Sequence, residues 1–582
     1  MVKKKHTLTL TSHKKTIKAG YQERLSDALL RAGLPMNLFC GGRGVCGKCR
    51  VRVVEGRLSP TTENEKTFQA VKHWDTRSRL SCQANVTGDL KISIPPESLV
   101  SSVLDPGRAG IPEFPLNPAV KTYLISFHPP TLASPLSLEE ICKKSLRKKS
   151  IRFVPDVLGK ASSHLKDEAE AVYAVLYKDR HVLDIGFYET VYGFAVDLGT
   201  TTIVLELVDL VTGKTVAADA FLNPQTRYGA DVLSRITYAS SPEKNKELQD
   251  MVIQEVNRKV SSLIKKYGIR QEAVFEFCIS GNTAMNHLFL GLPVQTLASA
   301  PYHALFSTMS DLSASSIGLN GNPQARVYIV PNIKSFVGGD ITSGLTAVEL
   351  LKEKGRFLFI DLGTNGEIVL KKGVRFTASS TAAGPAFEGM NLSCGTLAVP
   401  GAITKIWHDG KIRFETLDGK KPSGICGSGY IDLLAVLMEN GLLDKDGKLL
   451  TESKRIELAE KVFLTQKDIR ELQLAAAAVK TGIGILLYEN RLSPKDLDAV
   501  HIGGAFGSYL NIRNAQKIGL IPGLPISKIH FRGNTSLEGC RLFLLSYKTR
   551  NKVSEAVSRI RYLSLASHEG FQDRFIRALE LG

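Results

Sequence analysis

No stretch of about 18 or more apolar residues occurs in this chain of 582 residues, and the opening MVKKKHTLTLTSHKK turns polar too soon for a signal-peptide core. A cytoplasmic chain without a membrane partner is the expectation. Nine cysteines are too few for a disulfide framework at this length. Five of them, Cys142, Cys278, Cys394, Cys426 and Cys540, are scattered and read as small buried apolar residues. No Ser-His-Asp or Cys-His arrangement stands out. His6, His13, His73 and His501 fall at no ligand spacing, and His287, inside an apolar stretch, reads as a core histidine. Acid is in short supply, with 57 acidic against 75 basic residues and a net charge of +18. The basic patches are MVKKKH, residues 143–152 and residues 548–562. They show no nucleic-acid motif, and no aromatic residues are interleaved in the second. They read as solvated faces or as docking surface for an acidic protein.

What is present begins with four cysteines, Cys40, Cys46, Cys49 and Cys82, spaced C-x5-C-x2-C and followed by a gap of 32 residues to the last. Four thiolates complete a [2Fe–2S] cluster. Gly41, Gly42, Gly44 and Gly47 interleave with the first three and let the backbone wrap closely around sulfur. Around this loop, residues 6–11, 14–18, 48–56 and 89–95 alternate as strands, and 24–33 has helical period. A sheet on one helix is the β-grasp pattern of ferredoxins, assigned to 1–97. The five-residue first gap departs from the four of plant ferredoxins towards the adrenodoxin-like arrangement, which leaves the potential open.

Prolines 106, 112, 115 and 118 make residues 98–119 a semi-extended linker. Residues 120–190 read as a small α+β middle domain: a strand, a capped helix at SPLSLEEICKKSLRKKS, and a hairpin turning at Lys178–Arg180. From 191 to 582 strands and helices alternate, and one motif occurs twice. FAVDLGTTTIVLELVDL and LFIDLGTNGEIVLKKG both run strand, Asp-Leu-Gly-Thr turn, strand, with Asp197 and Asp361 lying 164 residues apart. An internal duplication follows.

Such a turn suits phosphate. Gly199 and Gly363 are expected to take positive φ, so that successive N–H groups form an anion nest. Thr200, Thr201, Thr364 and Asn365 add donors, and Asp197 and Asp361 can orient water around Mg²⁺. A third element, LDAVHIGGAFGSYL, offers Gly503, Gly504 and Ala505 as backbone against which a nucleoside can lie.

Together these three elements resemble the acetate/sugar kinase, Hsc70 and actin (ASKHA) ATPase superfamily. The resemblance implies a two-lobed ATP-binding domain with phosphate-1, phosphate-2 and adenosine segments. By the same resemblance GNTAMNHLFLG (281–291) and CGSGYIDLLAVL (426–437) are the helices connecting the lobes. A [2Fe–2S] domain ahead of an ASKHA domain looks like the reductive activators of corrinoid proteins, across essentially the whole multidomain α/β chain. TAAGPAFEGM (381–390) and AAAAVKTGIGIL (475–486) are similar to that family too. The resemblance implies catalytic Asp197 and Asp361, bound ATP and Mg²⁺, a corrinoid protein partner, an upstream low-potential donor and a possible homodimer. Two readings stay open beside it: a small-molecule kinase with a redox-sensing domain, and a plain electron carrier on a partner-binding scaffold.

Overall fold

The computed structural model describes every residue except 1–4, 33, 35, 37–41, 43, 45–46, 72–73, 96–97, 99–115, 127–129, 131, 134, 167–170, 230, 364 and 505–509. Most of the proline-rich linker therefore lies outside the described residues.

The N-terminal sheet comprises β1 (Lys5–Leu10), β2 (Lys15–Gly20), β3 (Arg50–Leu58), β4 (Ser78–Leu80) and β5 (Val86–Ser93), in the order β2-β1-β5-β3-β4. Helix α1 (Leu25–Arg31) covers it, and its Leu25, Ala28 and Leu29 are fully buried against Leu8, Leu10 and Val51. This is the β-grasp arrangement. Helix α2 (Glu63–Val71), which lacks a strong apolar period, is an addition to the sequence reading. Buried Glu65 anchors it by accepting from Arg79 Nε (3.0 Å) and from the Leu80 backbone (2.8 Å).

A second, three-stranded sheet is built from β6 (Val120–Ser126), β7 (Ala171–Tyr177) and β8 (His181–Gly186), with α3 (Leu138–Leu146) and α4 (Pro155–Lys166) against it. Ser137 caps α3 in a reciprocal box with Glu140. Lys178 and Asp179 turn the β7–β8 hairpin at positive φ, as the Lys-Asp-Arg sequence suggests.

The remainder carries the duplication in its topology. The first large sheet contains β9 (Tyr192–Leu198), β10 (Thr202–Asp209), β11 (Thr215–Leu222), β12 (Val274–Gly281), β13 (Met309–Ser313) and β14 (Arg326–Ile329), in the order β11-β10-β9-β12-β14-β13. Its helices are α5 (Val232–Tyr238), α6 (Pro242–Lys266), α7 (Thr283–Phe289) and α8 (Gly339–Ala347). The second contains β15 (Arg356–Leu362), β16 (Gly366–Lys372) and β17 (Arg375–Thr381). A side layer follows: β18 (Ala402–His408), β19 (Ile412–Thr416), β20 (Gly424–Ile425), α9 (Gly427–Glu439), β21 (Arg455–Ala459) and β22 (Val462–Thr465). Then come α10 (Gln466–Glu489), β23 (Ala499–Gly503), α11 (Ile512–Lys517), β24 (Ile529–Phe531), α12 (Thr535–Leu545), α13 (Tyr547–Ser558), β25 (Arg561–Tyr562) and α14 (Phe571–Ala578). The sheet order β24-β23-β15-β16-β17-β25 repeats the first one, strand for strand, over five strands. In each, three antiparallel strands are followed by two parallel ones on the other side of the first. Helix α10 is apolar and long enough to cross a membrane by length and composition, but most of it is buried in the core of this lobe.

The lobes are joined by α8 and α12, the helices that follow β14 and β24 in the two repeats. They cross so closely that a Cβ on Gly539 would meet Ser343 O at 2.0 Å, and one on Gly344 would meet Thr535 Oγ1 at 3.1 Å. One apolar core, with Ile341, Phe359, Leu537 and Phe543, runs through both sheets at this crossing. The sequence expectation is corrected here. The helix of 281–291 packs within the first lobe against α6 and β12, and that of 426–437 packs within the second against β18 and α11. Their glycines serve intralobe packing: a Cβ on Gly429 would lie 2.4 Å from Ile403 O.

Candidate functional site

The two Asp-Leu-Gly-Thr turns stand at equivalent ends of the two sheets. Each closes an antiparallel pair through three residues, 199–201 between β9 and β10 and 363–365 between β15 and β16. Neither Gly199 nor Gly363 adopts positive φ, so the left-handed nest expected from sequence is not how these turns are made. Gly199 is required for space, because a Cβ there would lie 2.3 Å from Thr202 O as the chain doubles back. Gly363 is open, with Asn365 O and Glu388 Oε1 the nearest atoms, at 3.8 and 3.9 Å from the position of a Cβ. Thr364 lies outside the described residues.

The first turn is held from behind. Asn223 donates from its backbone to Thr201 O (2.9 Å) and from Nδ2 to Gly199 O (2.8 Å). Arg235, fully buried, donates to Thr200 O between them. Burial pushes the Arg235 guanidinium down to about 9, which leaves it cationic at neutral pH beneath the loop. From the front, Asn282 Nδ2 donates to Thr200 Oγ1 (3.0 Å). Thr201 Oγ1 reaches across the cleft to Glu388 Oε2 (3.2 Å) in the second lobe.

Each aspartate is associated with the connecting helix of the opposite repeat. Asp197 accepts from Asn534 Nδ2 (2.8 Å) and Ser536 Oγ (2.7 Å) at the start of α12. Burial raises its carboxyl, and these two donors hold it back. Asp361 is influenced instead by Asp340 at the start of α8. Burial first, then the charges of Asp340 and Asp197, push Asp361 up to about 7. Asp340 also rises to about 7, by burial and then Asp197. Glu367, paired with Asp361 across the β15–β16 ladder, is raised by burial and by Asp340 and Asp361. Four carboxyl groups thus share one interlobe site, an arrangement suited to a divalent cation carried in on phosphate. Among the described residues no three acidic, histidine or cysteine groups close on a single point as direct ligands.

Gly503 and Gly504 lie beside Asp361. A Cβ on Gly503 would be 3.2 Å from Asp361 Oδ2, and one on Gly504 would be 3.0 Å from Asp361 Oδ1 and 2.8 Å from Leu362 O. In the first repeat, a Cβ on Gly281 would meet Leu198 O at the same 2.8 Å. These glycines therefore make room for the strands that carry Asp361 and Asp197, and Ala505 lies outside the described residues. Asp340, Glu367, Glu388, Asn223, Arg235, Asn534 and Ser536 were missed by the sequence reading. The Gly-Gly-Asp at 338–340, opening a helix straight after a strand, was the available signal for Asp340. His287 is a core residue as read, with Nδ1 on Thr283 O (2.7 Å) and Nε2 accepting from the Leu305 backbone (2.9 Å).

In the N-terminal domain Cys49 and Cys82 are buried at the ends of paired strands, with Ser81 N donating to Cys49 O (3.0 Å). Gln83 Nε2 ties Gly42 O (2.6 Å) to Cys82 Sγ (3.7 Å). Gly42, Gly44 and Gly47 have φ of 75, 76 and 71°, which any Cβ would strain. Phe68 of α2 covers Gly47, where a Cβ would lie 2.8 Å from its ring. Two buried thiols beside a left-handed glycine loop fit a cluster's requirements. Cys40 and Cys46, the other two expected ligands, lie outside the described residues. The scattered cysteines 142, 278, 394, 426 and 540 are all buried, as read.

Comparison with known proteins agrees with both halves. Family models match residues 8–87 (2Fe-2S iron-sulfur cluster binding domain), 192–353 (RACo middle region) and 356–582 (C-terminal domain of RACo, the ASKHA domain). The corrinoid activation enzyme RamQ of Eubacterium limosum is 31% identical over 605 aligned positions, covering 96% of each chain. A [Co(II) methylated amine-specific corrinoid protein] reductase of Methanosarcina barkeri is 27% identical, over 66% of this chain and 76% of that protein. A solved reductive activator for corrinoid, iron-sulfur protein superposes with a TM-score of 0.74 at 32% identity, covering 99% of this chain and 98% of the other.

Proposed function

The chain belongs to the RACo family of corrinoid reductive activators, and from that premise we propose that it uses ATP to return the cobalt of a partner corrinoid protein from Co(II) to Co(I). The observation that carries this reading is the pair of equivalent phosphate-type turns around one carboxylate set, in the same chain as a cysteine-glycine redox loop. Cys40, Cys46, Cys49 and Cys82 would hold a [2Fe–2S] cluster, which when bound supplies one electron at a time from an upstream donor.

The nucleotide-site residues have separable tasks. The 199–201 and 363–365 turns grip phosphates from opposite lobes. Asp361 and Asp340, raised to about 7, are partly protonated at neutral pH and give up protons when a Mg²⁺–nucleotide enters. Glu388, hydrogen-bonded to Thr201 across the cleft, is our candidate for orienting the attacking water. Closure of the lobes about α8 and α12 then biases the corrinoid partner towards a reducible state. An uphill step of roughly 100–200 mV corresponds to about 2–5 kcal/mol, within the reach of nucleotide-driven closure.

Anaerobic absorbance and a nucleotidase assay test the two halves. Cys82→Ser should remove the visible cluster bands while MgATP hydrolysis persists. Unaltered bands would sink the ligand assignment. Transfer of phosphate to a small acceptor in place of water would favour the kinase alternative.

A further inference from the structure

The segment 223–235 touches two parts of the molecule that have no reason to share a support unless they are linked. On one side it holds every carbonyl of the first phosphate turn, through Asn223 N, Asn223 Nδ2 and Arg235, as described above. Its own parts are cross-braced. Gln225 N donates to Asn223 Oδ1 (3.0 Å), Arg235 Nη1 to Gln225 Oε1 (3.4 Å), and Arg235 Nε to Gly229 O (2.9 Å). Gln225 Nε2 pins the brace to Leu248 O of α6 (2.9 Å).

On the other side it meets the redox domain. Arg227 Nη2 pairs with Asp27 Oδ2 of α1 at 2.7 Å, with both side chains mostly removed from solvent. The Arg227 carbonyl lies 3.5 Å from where a Cβ would stand on Gly42, so Gly42 of the cysteine loop packs on the backbone of this segment. The second lobe makes its own contact, because Lys48 Nζ, within the same loop, donates to Gly395 O (2.5 Å). Gly395 is folded hard against Gly389, the residue after Glu388, so that a Cβ on Gly395 would lie 2.0 Å from Gly389 O. Glu388 in turn accepts from Thr201 of the first turn. The redox loop therefore rests on both walls of the nucleotide cleft, each time on a segment that also grips the phosphate-1 turn.

We infer that segment 223–235 couples docking of the redox domain to occupancy of the nucleotide site, each favouring the other through Arg227 and the carbonyls of residues 199–201. This rests on the nucleotide reading of the turns and adds to it the part of the chain that senses the nucleotide. A docked α1 restrains Arg227, the cross-braced segment keeps the turn in one shape, and the turn loses less freedom when phosphate arrives. Reciprocity requires bound nucleotide to hold the redox domain more firmly by the same factor.

The test measures MgADP affinity by calorimetry on the full-length, cluster-loaded protein, with the visible absorbance of the cluster as the fold control. Asp27→Arg sets two like charges against each other and should weaken MgADP binding by about 3- to 5-fold, the upper range for one partly exposed ion pair. The exchanged pair Asp27→Arg with Arg227→Asp should restore it. Hydrogen exchange in the peptide 24–32 of the parent protein should slow on adding MgADP. An unchanged or tightened affinity in Asp27→Arg, a loss that the exchanged pair does not repair, or unaltered exchange in 24–32 would each overturn the inference. Failure of the parent protein to bind MgADP at all would instead reject the nucleotide reading itself.

Discussion

Asp197 and Asp361 occupy the same position in two repeats of one motif, yet the molecule treats them differently. Asp197 pairs across its hairpin with Val204 and is capped by two donors, Asn534 and Ser536. Asp361 pairs across its hairpin with Glu367, and burial and the charges of Asp340 and Asp197 push it up. Duplication has supplied two equivalent turns, and their neighbours differ. The first aspartate is satisfied within the protein and fixes α12 to the turn. The second has its carboxyl raised by burial, Asp340 and Asp197, and in the function proposed above it is the partner of Mg²⁺–nucleotide. In the function proposed above, relief of this carboxylate crowding would tie cation binding to lobe closure.

Substitutions that erase the asymmetry should have graded effects. Asp361→Asn should lower kcat for MgATP hydrolysis by about 10²- to 10³-fold, the range for losing a group that stabilises transferring phosphate. The same change should stabilise the nucleotide-free protein at pH 8 by about 1 kcal/mol, read as a rise in Tm. The sign follows from linkage. The folded-state value of about 7 stands above the ordinary 3.8, so the stability that the neutral carboxyl contributes is present below about pH 4 and is lost as pH rises through 7. Thermal scans of the parent should accordingly show this contribution declining from pH 6 to 8, and MgADP should reverse it. Asp197→Asn should cost activity about 10-fold and stability about 1 kcal/mol, because its amide turns one donor towards donors already in place. Asp340→Asn removes the like charge that most raises Asp361 after burial, and should carry the acid limb of the hydrolysis–pH profile to lower pH with little change in the plateau. Ser536→Ala, which deletes one of two donors to Asp197, should be mildest, at about 1 kcal/mol or less in urea unfolding.

Much of this arrangement was legible in the chain. The cysteine spacing, the two Asp-Leu-Gly-Thr turns and the alternation around them led to the β-grasp domain and to the duplicated, ASKHA-type lobes. Partner choices at long range were not legible. Asn534 and Ser536 reach Asp197 only because α12 crosses between lobes, and nothing local to residues 534–536 announces it. The connecting helices were assigned to 281–291 and 426–437 because a glycine ahead of an apolar helix reads the same whether the neighbour is in its own lobe or the other. The glycines of the turns were read as left-handed when one of them answers to a backbone oxygen 2.3 Å away, a constraint set by the returning strand. Arg227 and Asp27 lie 200 positions apart in different domains, a pairing that no spacing rule anticipates.

Reduction of a Co(II) corrinoid protein, followed by absorbance under anaerobic conditions with the parent chain and with Asp361→Asn, each with and without MgATP, tests the account most directly. The account predicts fast formation of Co(I) only for the parent chain with MgATP, and the slow ATP-free rate for Asp361→Asn in both conditions. Equal rates and extents with and without ATP, or an Asp361→Asn chain as fast as its parent, would contradict it.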